Sequence, residues 1–223
     1  MNTKPVLHRD DPKAEPLIGN IKVTRDDWLN VAMDVLISDG VDQVKVQNLA
    51  ARMVVSRSSF YWYFKSRQEL LDALLARWQA TNTAALIRQS ETEAATITAA
   101  VCNVHRCVVN PRLFDTSLDF AVRDWARRSG KVRRILDQSD ARRTEALTAM
   151  FARFGYAQIE AVTRARVLYY MQIGYDLAQL NEPVEFRLQL LPHYLLVFTG
   201  VEAQPAEIEE FGSYAKSFWE EGT

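Results

Sequence analysis

The run Ser56-Arg57-Ser58-Ser59-Phe60-Tyr61-Trp62-Tyr63-Phe64-Lys65-Ser66-Arg67 restricts what this chain can fold into more than any other feature. At about 3.6 residues per turn, Phe60 and Phe64 share one helical face and can anchor it in a core. Ser58, Ser59 and Trp62 then project from the other side, flanked by Arg57, Tyr61 and Tyr63. That side offers hydroxyls and a guanidinium for base edges and phosphates, and aromatic rings for thymine methyls and sugars. A helix that only filled a core would not carry so much hydrogen-bonding capacity beside its two phenylalanines. The face suits a nucleic-acid groove.

The residues before this run supply its frame. Val23 to Trp28 forms a helix start, with Thr24 as N-cap, Asp27 three residues on, and Val23 placed to staple onto Trp28. Trp28, Val31, Ala32, Val35 and Leu36 make one apolar stripe, and Gly40 supplies the stop. A second short helix turns Val46, Leu49, Ala50 and Met53 inward. Ser56 caps a third, and a long fourth begins near Arg67. Three short helices joined by tight turns are the layout of a helix-turn-helix whose third helix enters the major groove. Charge agrees. Between Val41 and Gln68 stand Lys45, Arg52, Arg57, Lys65 and Arg67 against Asp42 alone, a net of about +4, while the whole chain is near neutral at −1. A basic patch confined to one segment is what phosphate binding requires. Asp26, Asp27 and Asp34 of the first helix are expected to face away from it.

Residues from about Trp28 to Trp78 resemble the DNA-binding domain of TetR-type (tetracycline-repressor-like) regulators. The phrase Phe60-Tyr61-Trp62-Tyr63-Phe64-Lys65-Ser66-Arg67-Gln68-Glu69-Leu70-Leu71 carries the resemblance, with Leu49-Ala50 and Val55-Ser56 at the family's offsets. By position it implies that Gln47, Arg57, Ser59, Tyr61, Trp62 and Tyr63 lie at the DNA. Lys65 and Arg67, following the third helix, are expected to neutralise backbone phosphates. The chain departs from the family pattern twice, with Val54 and Ser58 where glycine is usual. Ser58 adds a hydroxyl at the groove-facing start. Val54 is β-branched and ill suited to positive φ, so the turn must avoid left-handed geometry or carry strain.

Beyond Trp78 the pattern is helical almost throughout, and the expected architecture is all-α. Helices are predicted near Arg67–Gln89, Thr92–Val109, Leu113–Arg128, Lys131–Phe154, Gln158–Leu180, Val184–Phe198 and Ala206–Trp219. The breaks fall at Asn110-Pro111, Ser129-Gly130, Gly155, Asn181 to Pro183 and Thr199 to Pro205. Pro192 is expected to kink its helix. A length of 223 residues accommodates a small head and a larger second domain. The expected division is a disordered tail over 1–20, a helix-turn-helix domain over 21–66, and a regulatory and dimerisation domain over 67–223. The start contains Pro5, Pro12 and Pro16 and no apolar signal core, so a cytoplasmic protein is expected; Lys13 or Lys22 could serve as a groove arm. No apolar run approaches the ~20 residues of a membrane span, and no membrane association is expected.

Arg123-Asp124-Trp125-Ala126, with Asp140, Arg142, Arg143, Gly155 and Arg164-Ala165-Arg166, resembles the regulatory domain of one TetR-type subgroup. Between Arg123 and Arg143 eight bases face three acids, a net of +5. A second DNA contact, an anion site and a solvated face all fit; the solvated face with internal Asp–Arg pairs is favoured, with Arg123 or Arg142 against Asp140. The resemblance further implies a homodimer formed through the last two long helices. Val162, Tyr169, Ile173, Leu177 and Leu180 form one stripe too apolar for solvent, and Leu188, Leu191, Leu195 and Phe198 form another, so an antiparallel four-helix seam is expected. It also implies a small-molecule effector among the central helices. The candidates are Trp78, Asn82, His105, Phe114, Phe120, Trp125 and Tyr170, although aromatic stripes at this spacing are usually core.

Cys102 and Cys107 point apart on a helix. Cys102 and His105 could share a face, but no convergent second pair is visible, so buried thiols are expected and neither a metal nor another cofactor. His8, His105 and His193 lie far apart, and no nucleophile–base set, phosphate loop or placed carboxylate pair suggests an enzyme. The expected function is a sequence-specific DNA-binding regulator, a homodimeric repressor on a two-fold double-stranded operator. The competing reading is a helical interaction module whose DNA binding has degraded at Val54 and Ser58.

Overall fold

The structure is a computed structural model that describes residues 23–178, 180 and 182–219. The expected tail, Lys13, Lys22 and Asn181 lie outside the described residues. Within them the chain is all-α: α1 (Arg25–Asp39), α2 (Val46–Arg52), α3 (Arg67–Trp78), α4 (Ala84–Glu91), α5 (Ile97–Val109), α6 (Thr116–Ala126), α7 (Gly130–Arg153), α8 (Gln158–Ala178), α9 (Val184–Thr199) and α10 (Pro205–Trp219). The residues group into two compact units. One ends at Trp78 and regains Ser117–Arg133; the other holds Gln79–Thr116 and continues from Arg134. The head therefore includes α3 and α6, beyond the boundary at Ser66 drawn from sequence.

Helix α1 starts as its sequence dictates. The Thr24 hydroxyl accepts from the Asp27 amide at 3.2 Å, and the Thr24 amide donates to the Asp27 carboxylate at 2.8 Å, a reciprocal capping box. Gly40, at φ 79°, ends the helix in a conformation that favours glycine. Trp28 is fully buried and meets Phe60 edge to face, with ring centroids 5.2 Å apart. Phe60 in turn stacks on Phe64 at 5.4 Å. The long helix predicted from Arg67 to Gln89 instead breaks register, with π-helical turns over Gln79–Thr83. The inward polar residues there have named partners. Asn82 bonds the Asp115 backbone in both directions, and Thr83 accepts from Arg143 Nε at 3.0 Å.

Polar contacts within each unit involve the residues of the basic segment from Arg123 to Arg143. Arg123 binds Asp119 at 2.9 Å, and Asp119 also accepts from Trp78 Nε1 at 2.9 Å; both bonds lie inside the head unit. Asp140 accepts from the Tyr169 hydroxyl at 2.7 Å, and Arg143 donates to that hydroxyl at 3.2 Å while its guanidinium lies 5.3 Å from the Phe114 ring. Arg143, not Arg142, is the buried arginine.

The apolar stripes assigned to a dimer seam are largely spent inside the second unit. Tyr169, Leu191, Leu195 and Phe198 are buried in its core, Ile173 packs against that core, and Val162 and Leu188 are half-buried. Only Leu177 and Leu180 of those stripes are exposed. Helices α8 and α9 are apolar on more than one side, so periodicity alone could not choose the outward one. The outward apolar face of α8 carries Ile159 (77% exposed), Val167, Tyr170 and Leu177; on α9 it carries Phe186, Leu196 and Val197 (67% exposed).

Candidate functional site

The short helix expected from Ser56 is a 3₁₀ segment, Arg57–Trp62. Its tightness has a local cause: the Ser59 hydroxyl donates to the Ser56 carbonyl at 2.8 Å, and the Tyr63 amide reaches Phe60 across the same three-residue span at 3.0 Å. Phe60 and Phe64 point into the core as predicted. Opposite them Trp62 is 79% exposed and Tyr61 61% exposed, with Arg57 and Ser58 beside them in solvent and Ser59 half-buried. Gln47 on α2 is exposed too.

The turn into this segment is a Schellman closure of α2. The Val55 amide donates to the Ala50 carbonyl at 3.0 Å and the Val54 amide to Ala51 at 3.2 Å. That closure needs a left-handed residue at the first position past the helix, and Val54 occupies it at φ 55°. Of the two outcomes open from sequence, the turn keeps left-handed geometry and carries strain.

Not every polar group in the run is available. The Tyr63 hydroxyl donates to the Val23 carbonyl at 2.7 Å and ties the 3₁₀ segment to the start of α1. Arg67 donates to the carbonyls of Val44 and Val41 at 2.6 and 2.7 Å, holding the turn before α2. Arg52 is matched by Asp34 at 2.7 Å and Asp39 at 3.0 Å, so it drops out of the basic patch. The remaining free charge is Lys45, Arg57 and Lys65, none of which has a carboxylate partner among the described residues, with Arg67 still cationic behind them. Sequence reasoning missed these tethers because each spans 13 to 40 positions in the chain.

The second unit holds a cavity of about 250 Å³ between α5, α8, α9 and α10. Val108, Val109, Met171, Leu188, Leu191 and Leu195 give it an apolar wall, and His105, Tyr175, Tyr194 and Phe211 add rings. Asp176, Glu182 and Arg187 bring charge to it. Of the seven effector candidates only His105 borders this space. Trp78, Trp125 and half-buried Phe120 belong to the head unit, Asn82 and Phe114 are packed in the second unit, and Tyr170 is exposed under Arg166 at 5.1 Å. Tyr175, Glu182, Arg187 and Tyr194 carried no motif that could have singled them out.

Burial pushes the His105 imidazole below its ordinary value, partly offset by its bond to Val101. Burial likewise pushes the Tyr175 phenol up to about 12, helped by the Glu182 carboxylate that accepts a hydrogen bond from its hydroxyl at 2.6 Å. Cys102 and Cys107 are buried free thiols, each raised to about 12 by burial, and so are poor nucleophiles. Among the described residues no group of three or more His, Cys, Asp or Glu side chains could hold a metal ion.

With this geometry in view, comparison with known proteins assigns the head to a class. The family model for bacterial regulatory proteins of the tetR family matches residues 29–74. Over those residues the chain is similar to the helix-turn-helix domain of that family. Over 54 residues it is 37% identical to the tetracycline repressor protein class A from transposon 1721 of Escherichia coli, covering 24% of this chain and 25% of that one. Over 66 residues it is 33% identical to the HTH-type transcriptional regulator TtgW of Pseudomonas putida, covering 30% of this chain and 49% of that one. The matches thus span between a quarter and a half of these relatives. The fold extends further. A transcriptional regulator from Rhodococcus sp. aligns with TM-score 0.60 at 20% identity, over 80% of this chain and 95% of that one. Mycobacterium smegmatis AmtR aligns with TM-score 0.57 at 16% identity, over 90% and 96%.

Proposed function

We propose that this chain is a DNA-binding transcriptional regulator, a homodimeric repressor that holds a two-fold operator and lets go when a small molecule binds. One observation carries the reading: Trp62, Tyr61, Arg57 and Lys65 stand in solvent on a segment whose other side is locked by buried Phe60 and Phe64. Such a surface joins cationic and hydrogen-bonding groups to a fixed scaffold, as groove recognition requires. The names of the two sequence relatives, a repressor and a transcriptional regulator, support the class. The retained left-handed turn at Val54 weakens the case for a degraded module. No helix among the described residues is long and apolar enough to cross a membrane.

Dimerisation follows from the outward apolar faces of α8 and α9, which would otherwise remain in water. Ile159, Val167, Tyr170 and Leu177 fall within one side of α8, as a helix-to-helix seam requires. Of the stripes predicted from sequence, Leu177 and Leu180 are exposed and available to such a seam, while Tyr169, Leu191, Leu195 and Phe198 are buried.

Duplex binding as a function of salt tests the reading. The logarithm of affinity should fall linearly with the logarithm of salt, and Lys65→Gln should flatten the slope by about one unit, weakening all duplexes alike. Arg57→Ala should cost about 1–3 kcal/mol on the preferred sequence and relax preference at one base pair. No salt-dependent binding to any duplex would overturn the proposal.

A further inference from the structure

The cavity in the second unit constrains the chemistry of what it can hold. Its volume of about 250 Å³ exceeds the ~150 Å³ that accommodates benzene in an engineered apolar void. One or two fused rings fit that space. The lining is mostly aliphatic and aromatic, and its charged groups lean acidic, with Asp176 and Glu182 against Arg187. Those groups are also engaged with neighbours. Gln172 donates to Asp176 at 2.8 Å, Tyr175 donates to Glu182, and Arg187 donates to the Leu180 carbonyl at 3.1 Å while lying 5.9 Å from the Tyr175 ring. An anionic ligand would meet two carboxylates beside a single guanidinium.

His105 supplies the directional contact. Its Nδ1 lies 3.0 Å from the Val101 carbonyl oxygen, a contact that only an N–H can make favourably. With the proton of the neutral ring on Nδ1, Nε2 is left as the acceptor, and burial disfavours the doubly protonated imidazolium. The ring is fixed in place by Phe198, stacked at 5.8 Å, and by Phe211, edge-on at 6.3 Å. Phe198 lies about three turns along α9 from Arg187, so the acceptor stands well away from the charged groups.

We propose that the cavity binds a neutral, planar molecule of one or two rings that donates a hydrogen bond from a hydroxyl to His105, a ligand of the phenol class. This rests on the effector reading above, but it is a statement about binding alone. Three probes of one shape decide it on the full chain: β-naphthol, naphthalene and β-naphthoate, measured by calorimetry without DNA. The β-naphthol should bind about tenfold more tightly than naphthalene, as one satisfied hydrogen bond allows, and β-naphthoate should bind weakest. His105→Phe keeps a ring between Phe198 and Phe211 but removes the acceptor, and should erase the difference between naphthol and naphthalene; a melting curve checks that it folds. Equal affinity for the first two probes, preference for the carboxylate, or no binding of any probe would overturn the proposal. Naphthol that binds as described yet leaves duplex binding unchanged would overturn the effector reading instead and leave the ligand class standing.

Discussion

Val54 shows how a single residue can be wrong for its position without destroying the element around it. It holds the left-handed place in the closure of α2 at φ 55° and is exposed to solvent. Left-handed backbone costs a β-branched residue of order 1–2 kcal/mol, and glycine returns part of that through unfolded-state entropy. Val54→Gly should therefore stabilise the protein by about 1 kcal/mol, read as a raised denaturation midpoint with duplex affinity intact; a lower midpoint would show that the valine side chain contributes packing here. His105 gives a pH dependence of the opposite practical sense. Its folded-state pKa is depressed, so the unfolded chain binds the proton more readily. The sign follows: the penalty is absent above the unfolded value near 6.5 and grows as pH falls below it. Stability should drop on acidification through that window, and His105→Phe should remove this part of the slope.

At the scale of elements, the 3₁₀ segment Arg57–Trp62 divides its residues into buried anchors and an exposed face. Phe60→Ala should cost about 3–5 kcal/mol of stability, as for other buried aromatics. Trp62→Ala should leave the melting temperature nearly unchanged and weaken duplex binding, because its ring lies in solvent. A loss of stability in Trp62→Ala matching that of Phe60→Ala would assign the tryptophan to packing. The same segment marks how far sequence carries the reasoning. Alternation of Phe60 and Phe64 against Trp62, the Thr24 capping box and the glycine stop at Gly40 are local patterns, and all were legible. The bonds of Tyr63 to Val23, Arg67 to Val41 and Arg52 to Asp34 close over long loops, so no local pattern shows that these side chains already hold partners. The π-helical register change at Gln79–Thr83 depends on what Asn82 and Thr83 meet across the second unit, which no local propensity records.

For the whole molecule, the all-α class and the placement of most helices followed from periodicity and from Gly and Pro breaks, but the direction of apolar faces did not. The stripes of Tyr169 and Leu195 face their own core, while Val167 and Val197 face out. A glutamate at Val197 should therefore split a dimer without unfolding the chain, since burying an unpaired charge beside its two-fold copy is costly. Light scattering should report half the mass of the native protein, with the helical signal retained. A dimer that persists would move the seam elsewhere.

A head with one 3₁₀ segment and a few free cations offers little area for tight specific binding at physiological salt. Two heads joined by a seam act as one, because the second contact becomes effectively intramolecular. Selection of bound duplexes from a random library by the full-length protein tests this most directly. The account predicts an enriched sequence with two-fold symmetry, its half-sites about one helical turn or a multiple apart, bound tightly by the native chain and poorly by Val197→Glu. Enrichment of a single unsymmetrical site, or equal affinity of the monomeric variant for the selected duplex, would contradict it.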